Sequence, residues 1–275
     1  SATINFVAFG VAPTTVLAPL EGSQFVANFV WNYVARNKRL FKRDREGRLV
    51  LDRNNKPVRT KMFWRIVRGT ATVVVGIVLP VVATPTATVD LDEDGLWCMW
   101  KQASWVAYLV CTALICVVCG GAYVLYRKPT HDEPSTDRME QLLFAVPAAT
   151  IGGFAVANAK VISILLEFWM LKNIWTFVGL ISNPLFWMTL VFVAAGFAVW
   201  LYLIDKAATL YDPLTVIPLL QGAYIVFSST SGGIFFEDFE RFAVWRHVVY
   251  WSGILTITLG LFQLVPPEDA GDAGY

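Results

Sequence analysis

Charge is what this sequence has least of. Only 16% of its 275 residues are Asp, Glu, Lys or Arg, against roughly a quarter in soluble domains. A chain so short of solvating side chains cannot cover a globular surface in water. Histidine is nearly absent: His131 and His247 are the two in the chain, and they lack ligand spacing. There is no glycine-rich phosphate loop and no nucleophile–base arrangement, which argues against an enzyme and a resident cofactor. Four cysteines do not make a disulfide framework in a protein of this kind. Cys111, Cys116 and Cys119 fall in the run SWVAYLVCTALICVVCGGAYVLY with no His or carboxylate among them, and are expected to be small buried apolar side chains. Cys98, in LWCMW, has no evident partner. The first ten residues carry neither the basic start nor the small-residue cleavage site of a signal peptide.

Long apolar runs are plentiful. With 56% hydrophobic residues and 11 Trp, the chain reads as an all-α polytopic membrane protein, since each run is long enough to cross a bilayer as a helix. Seven full spans are predicted at about 13–35, 62–84, 104–126, 141–166, 184–206, 213–236 and 245–265. Residues 1–11 make an N-terminal half span, and the aromatic, amphipathic segment 167–183 either lies at the interface or extends the helix before it.

The charges that do occur are segregated. Thirteen of the 22 basic residues fall between Arg36 and Arg68, against the acids Asp44, Glu46 and Asp52. This basic loop, 36–61, is expected on the cytoplasmic-equivalent side, touching anionic lipid head groups rather than nucleic acid. Within it, DREGRLVLDRNNKPVR has the turn residues of a small hairpin. The acidic loop 90–103, with Asp90, Asp92, Glu93 and Asp94, should lie opposite. Counting spans puts the polar tail 266–275 on the basic side.

The chain also repeats itself. APTTVLAPLEGSQFVANF, 12–29, aligns without a gap on DPLTVIPLLQGAYIVF, 212–227, so that Pro13 meets Pro213, Thr15 meets Thr215 and Gly22 meets Gly222, with Glu21 facing Gln221. A second echo follows each copy: Gly69, Thr72 and Gly76 match Gly253, Thr256 and Gly260. Glycines seven apart share a helix face and permit close helix approach. The span count gives the two copies opposite directions, the inverted-repeat plan of secondary transporters, whose sites lie near the midplane where the repeats meet. The chain then divides into the remainder of a first repeat, 1–89, the acidic loop, and a five-span second repeat, 104–265. Repeat symmetry leads one to expect about 100 further residues ahead of Ser1.

Polar groups within spans mark the candidate site. Glu21, Gln24, Asn28 and Asn32 fall three and four apart and form one polar stripe. One carboxylate with amide oxygens suits a hard divalent cation. Alternatively Glu21 is protonated, or pairs with Lys160 and locks two helices together. Asn158 and Lys160 lie on the 141–166 helix, where the lysine fits a counter-ion or an anion contact. Gln221 and the hydroxyls of Ser228, Ser229, Thr230 and Ser231 lie on the repeat-partner helix, the hydroxyls reading best as a local kink or a helix–helix hydrogen bond. Asp205 and Asp212 sit near a membrane boundary and are expected to be solvated or capping.

INFVAFGVAPTTVLAPLEGSQF, GGFAVANAKVIS (152–163, ending near Lys160) and LIDKAATLYDPLTVIPLLQGAYIVFSSTSGGIFFEDF (203–239) resemble, in order, three stretches of the NIPA-type magnesium transporters, a branch of the drug/metabolite transporter superfamily. The resemblance covers nearly the whole chain apart from the basic loop. It implies a drug/metabolite transporter-like inverted-repeat bundle that moves Mg²⁺ or a related divalent cation by alternating access. Against that family two further helices and the first half of a third would be expected ahead of Ser1, the basic linker is long, and Glu21 stands where a small residue is usual. Two rivals remain on the residues alone: a non-transporting subunit of a larger membrane complex, docked through the basic loop, and an organic-anion carrier contacting its substrate through Lys160.

Overall fold

The structure, a computed structural model, describes residues 15–20, 23, 27, 61–84, 93–127, 137–172, 177–211 and 213–264. Glu21, Gln24, Asn28, Asn32, the hairpin expected in the basic loop, His131 and Asp212 lie outside the described residues. After a helical segment at 15–20 come α1 (Lys61–Ala83), α2 (Glu93–Trp100), α3 (Ala103–Tyr126), α4 (Arg138–Lys172), α5 (Phe177–Ser182), α6 (Pro184–Leu210), α7 (Pro213–Phe235), a 3₁₀ turn (Asp238–Arg241) and α8 (Val244–Leu264). The all-helical expectation holds for a physical reason: a backbone that crosses hydrocarbon must satisfy its own polar groups.

Among the described residues four helices are long and apolar enough to cross a membrane: Ala103–Tyr126, Arg138–Phe168, Pro184–Leu210 and Val244–Leu264. Val67–Ala83 is a shorter apolar stretch within α1, and α7 runs for 23 residues. Of the expected 13–35 span, only 15–20 and single positions are described. The acidic loop 90–103 contains a short helix, α2, with Glu93 and Asp94 in its first turn, where carboxylates favour the positive end of a helix. Past residue 166, α4 continues to Lys172, so this part of the 167–183 segment extends the preceding helix.

Helix starts follow local chemistry. Asn183 caps α6 by accepting a 2.8 Å hydrogen bond from the Leu185 amide, with Pro184 in the first turn. Asp137 accepts from the Met139 amide at 2.9 Å at the head of α4. Among the described residues proline stands inside α1, α4 and α7, at Pro80, Pro147 and Pro218, and Pro19 falls in the helical segment at 15–20. The Thr84 and Thr150 hydroxyls donate to the Pro80 and Pro147 carbonyls at 2.9 and 2.7 Å.

α4 is the central helix. Two-thirds of its apolar window is buried (67%), against 0% for α3 and 17% for α6. It packs on α7, α6 and α3. α4 and α7 run parallel: Phe144 meets Tyr211 just ahead of α7, Gly152 meets Tyr224, Gly153 meets Phe227 and Ser228, and Lys160 meets Phe236 just past its end. A methyl group on Gly153 would lie 2.8 Å from the Ser228 amide nitrogen, so the crossing is backbone on backbone. α3, by contrast, turns Val110, Leu114, Val117 and Leu125 outward, the side chains of a lipid-facing helix. That placement corrects the expectation of buried thiols. Cys98 and Cys111 are exposed, Cys116 and Cys119 are half-buried, and all four are free.

α1 and α8 run antiparallel along a glycine seam. A Cβ on Gly76 would stand 3.1 Å from the Gly253 carbonyl oxygen, and one on Gly260 would stand 3.1 Å from that of Gly69. The contacts are reciprocal: the leading glycine of each helix meets the trailing glycine of the other. Arg65 closes one end, its Nε donating to the Gln263 carbonyl at 2.8 Å.

At one end of α4, the Tyr211 hydroxyl donates to Glu140 Oε1 (3.2 Å) and lies 3.3 Å from the Tyr123 hydroxyl. Arg127 Nε stands 3.9 Å from the same Glu140 oxygen. Tyr211→Phe removes this donor while keeping the buried ring, so it is expected to cost about 1 kcal/mol, read as a small drop in the melting temperature of the detergent-solubilised protein.

Candidate functional site

The opposite end of the α4–α7 crossing gathers the buried charges. α7 stops at Phe235, and Glu237 adopts the left-handed region (φ 54°, ψ 24°) that turns the chain back. That conformation costs a non-glycine residue roughly 1–2 kcal/mol. Gln102, immediately ahead of α3, donates a side-chain hydrogen bond to the Glu237 carboxylate. The Phe239 ring folds onto bare Gly233, where any side chain would collide with it. As a result the 3₁₀ turn tucks Asp238 inward instead of leaving it in solvent.

Asp238 is 9% exposed and Lys160 7%. The Lys160 ammonium sits 4.2 Å from the centre of the Phe236 ring, a cation–π contact, and Asp238 is its electrostatic partner. The Asp238 carboxylate accepts a 3.3 Å hydrogen bond from the Thr15 hydroxyl through Oδ2. Tyr250 on α8 donates to the Thr15 carbonyl at 3.2 Å. Burial pushes the Asp238 carboxyl above its ordinary range, while Lys160, the Thr15 hydroxyl and Arg241 each pull it back. Four elements therefore converge here: the segment at 15–20, α4, the turn after α7, and α8. Thr15 belongs to the first copy of the sequence repeat, whereas Phe236 and Asp238 follow the second.

Other expected site residues are placed differently. Asn158 is 1% exposed on α4. Its Nδ2 donates to the Phe154 carbonyl at 2.9 Å, and its Oδ1 is buried with no hydrogen-bond partner among the described residues. Asn158 and Lys160, two apart, point about 200° from each other around the helix. Gln221 is half-buried, about 20 Å up α7 from Phe235, and the structure does not bring it to Lys160. The hydroxyl cluster bends back locally: Ser228 donates to the Tyr224 carbonyl and Thr230 to that of Val226, both at 2.7 Å. Ser229 and Ser231 are buried beside the Tyr250 and Tyr108 phenols without reaching hydrogen-bond geometry. His247 packs against the rings of Phe239 and Phe242, at 6.0 and 5.3 Å. Asp205 is exposed.

Asp238 is the residue that sequence reasoning missed. An acid directly after an apolar run ordinarily marks the exit into water. The cue available was the Gly232–Gly233 pair just before FFEDF, which leaves room for a ring to fold back.

A site of this kind offers hard oxygen donors from one carboxylate and a hydroxyl. Among the described residues no group of three or more His, Cys, Asp and Glu side chains forms a cage. Magnesium does not need one, because it keeps several waters and binds through one or two carboxylates.

No solved structure matches this chain. It is similar to the probable magnesium transporter NIPA8 of Arabidopsis thaliana, 26% identical over 279 residues. That alignment takes in 98% of this chain but 56% of the relative's length, so the chain spans little more than half of the curated relative it matches. The sequence profile described as magnesium transporter NIPA matches residues 59–269. With its apolar spanning helices, this places an integral membrane protein of the magnesium transporter NIPA family.

Proposed function

We propose that the protein carries Mg²⁺ or a related divalent cation across a membrane, by alternating access between two inversely oriented halves. The observation that carries this reading is the family match over residues 59–269, which takes in α1 to α8 entire. The reciprocal glycine seam supports the inverted-repeat part, because an antiparallel pair exchanging equivalent positions is what a two-fold relation produces. The buried carboxylate of Asp238 is the described group best suited to meet the ion, with the outlying stripe Glu21, Gln24 and Asn28 as further oxygen donors. Basic loop 36–61 lies on the cytoplasmic-equivalent side in this reading, against anionic lipid head groups. The negative charge of Asp238 near Lys160 weighs against the organic-anion alternative.

The test is Mg²⁺ uptake by the full-length protein in proteoliposomes, followed with an internal Mg²⁺-sensitive dye. Uptake above protein-free vesicles is expected. Asp238→Asn should lower the initial rate at least about tenfold, the loss of a charged ligand from a desolvated site. Vesicles that take up no Mg²⁺ with the unaltered protein would sink the proposal and return weight to the structural-subunit reading.

A further inference from the structure

Among the described residues Glu237 is the non-glycine side chain at positive φ. It stands two places after the last residue of α7, where helices commonly put glycine because glycine enters the left-handed region without strain. Its backbone joins two elements. The Glu237 amide donates back to the Ile234 carbonyl at 3.3 Å, and its own carbonyl accepts from the Glu240 amide at 3.2 Å, opening the 3₁₀ turn. Its half-buried carboxylate accepts from the Gln102 side chain. Gln102 is equally unusual. It is the N-cap residue of α3, yet its side chain makes no capping bond, whereas the residues preferred at that position accept from the helix's own amides. A strained backbone persists only where its surroundings hold it, and such residues concentrate at functional sites.

We propose that the Gln102–Glu237 hydrogen bond is a positioning device for Asp238: it locks the left-handed turn from the α3 side and so keeps the next carboxylate buried in the site. This rests on the cation-transport reading of that site. Asp238 is gripped from both directions along the chain. Before it stands Glu237, tied to Gln102; after it stands Phe239, whose ring lies on bare Gly233. The Thr15 hydroxyl then meets a carboxylate already turned towards it. Gln102 and Glu237 are positioning residues, and both act through Asp238.

Glycine separates the bond from the bend. Glu237→Gly removes the tie while easing the backbone, so a residue that merely shapes the turn would lose nothing by it. The full-length protein in detergent is treated with a water-soluble carbodiimide and an amine, and labelling is read residue by residue by tandem mass spectrometry. Asp238 should be labelled about tenfold more in Glu237→Gly and in Gln102→Leu than in the unaltered protein, the effect of losing one hydrogen bond to a charged group. Exposed Asp205 is the control and should be labelled equally in all. Glu237→Gln keeps an acceptor oxygen for Gln102 and should protect Asp238 as the unaltered protein does. Combining Gln102→Leu with Glu237→Gly should be no worse than either alone, since both remove the same bond. In proteoliposomes, Glu237→Gly should raise the half-saturation for Mg²⁺ at least about threefold with the maximal rate within about twofold. Asp238 equally protected in Glu237→Gly and Gln102→Leu overturns the proposal. So does Glu237→Gln as impaired in Mg²⁺ uptake as Glu237→Gly, which would assign the effect to the charge of Glu237 and not to its bond. An unaltered protein that moves no Mg²⁺ defeats the transport reading, while the labelling still decides whether Gln102 and Glu237 place Asp238.

Discussion

Gly76→Val is expected to abolish recovery of folded protein. The first added carbon would stand 2.6 Å from the Ile257 amide nitrogen, a backbone atom that cannot rotate aside. Relief requires α1 and α8 to move apart, which also loosens the Gly69–Gly260 contact further along the same seam. Overpacking a well-packed contact commonly costs 1–3 kcal/mol, and with backbone on both sides the cost here should exceed about 3 kcal/mol. In a bilayer this loss has little to offset it, since helix association there depends on close packing more than on hydrophobic transfer. The measurement is the monodisperse fraction on size exclusion in mild detergent. Gly121→Ala is the control, because nothing lies within 4 Å of a Cβ there, and it should behave as the unaltered protein. Equal recovery of both variants would show that the seam does not hold the helices together.

Trp105→Ala is the second large effect. The Trp105 side chain has no exposed surface and sits among four rings. It stacks on Tyr108 and Phe154 at 5.5 and 6.2 Å, and meets Trp100 and Phe235 edge-on at 5.9 and 4.8 Å. Truncation leaves a cavity where α3, α4 and the end of α7 join, at an expected cost of about 3–5 kcal/mol. Its indole nitrogen is buried without a hydrogen-bond partner among the described residues, so the stabilisation comes from packing alone. Trp105→Phe, which keeps a ring and discards that donor, should therefore lose far less. Thermal unfolding in detergent followed by tryptophan fluorescence at the remaining sites ranks the two variants. If Trp105→Phe proved as damaging as Trp105→Ala, the indole nitrogen would have to hold a partner after all.

Both residues sit in stretches whose helical nature was plain from the sequence, yet only one disclosed its role. Gly69, Gly76, Gly253 and Gly260 were legible as close-approach positions because their seven-residue spacing recurs downstream of a repeated motif. That the two glycine faces would meet one another was not legible, since spacing says where a helix can be approached and not by what. Cys111 and Cys116 illustrate a second limit. Lipid and protein core are both apolar, so hydropathy cannot tell the outward α3 from the central α4. Lys160 stood out as a buried charge on sequence alone, but its described partner did not. Asp238 reads as a solvated acid at the end of a span until a left-handed Glu237 and a bare Gly233 fold it inward. The Glu21 side of the question lies among residues the structure does not describe.

The C-terminus of α7 acts through its backbone as well as its side chains. A helix that ends at Phe235, beside Lys160 and Asp238, directs there the negative end of its macrodipole, equivalent to roughly half an elementary charge. That partial charge belongs to peptide carbonyls and survives every side-chain substitution. A cation approaching this end of the bundle therefore meets an attractive backbone field even in Asp238→Asn, which is why a residual, weakened flux is the expected phenotype of that variant rather than silence.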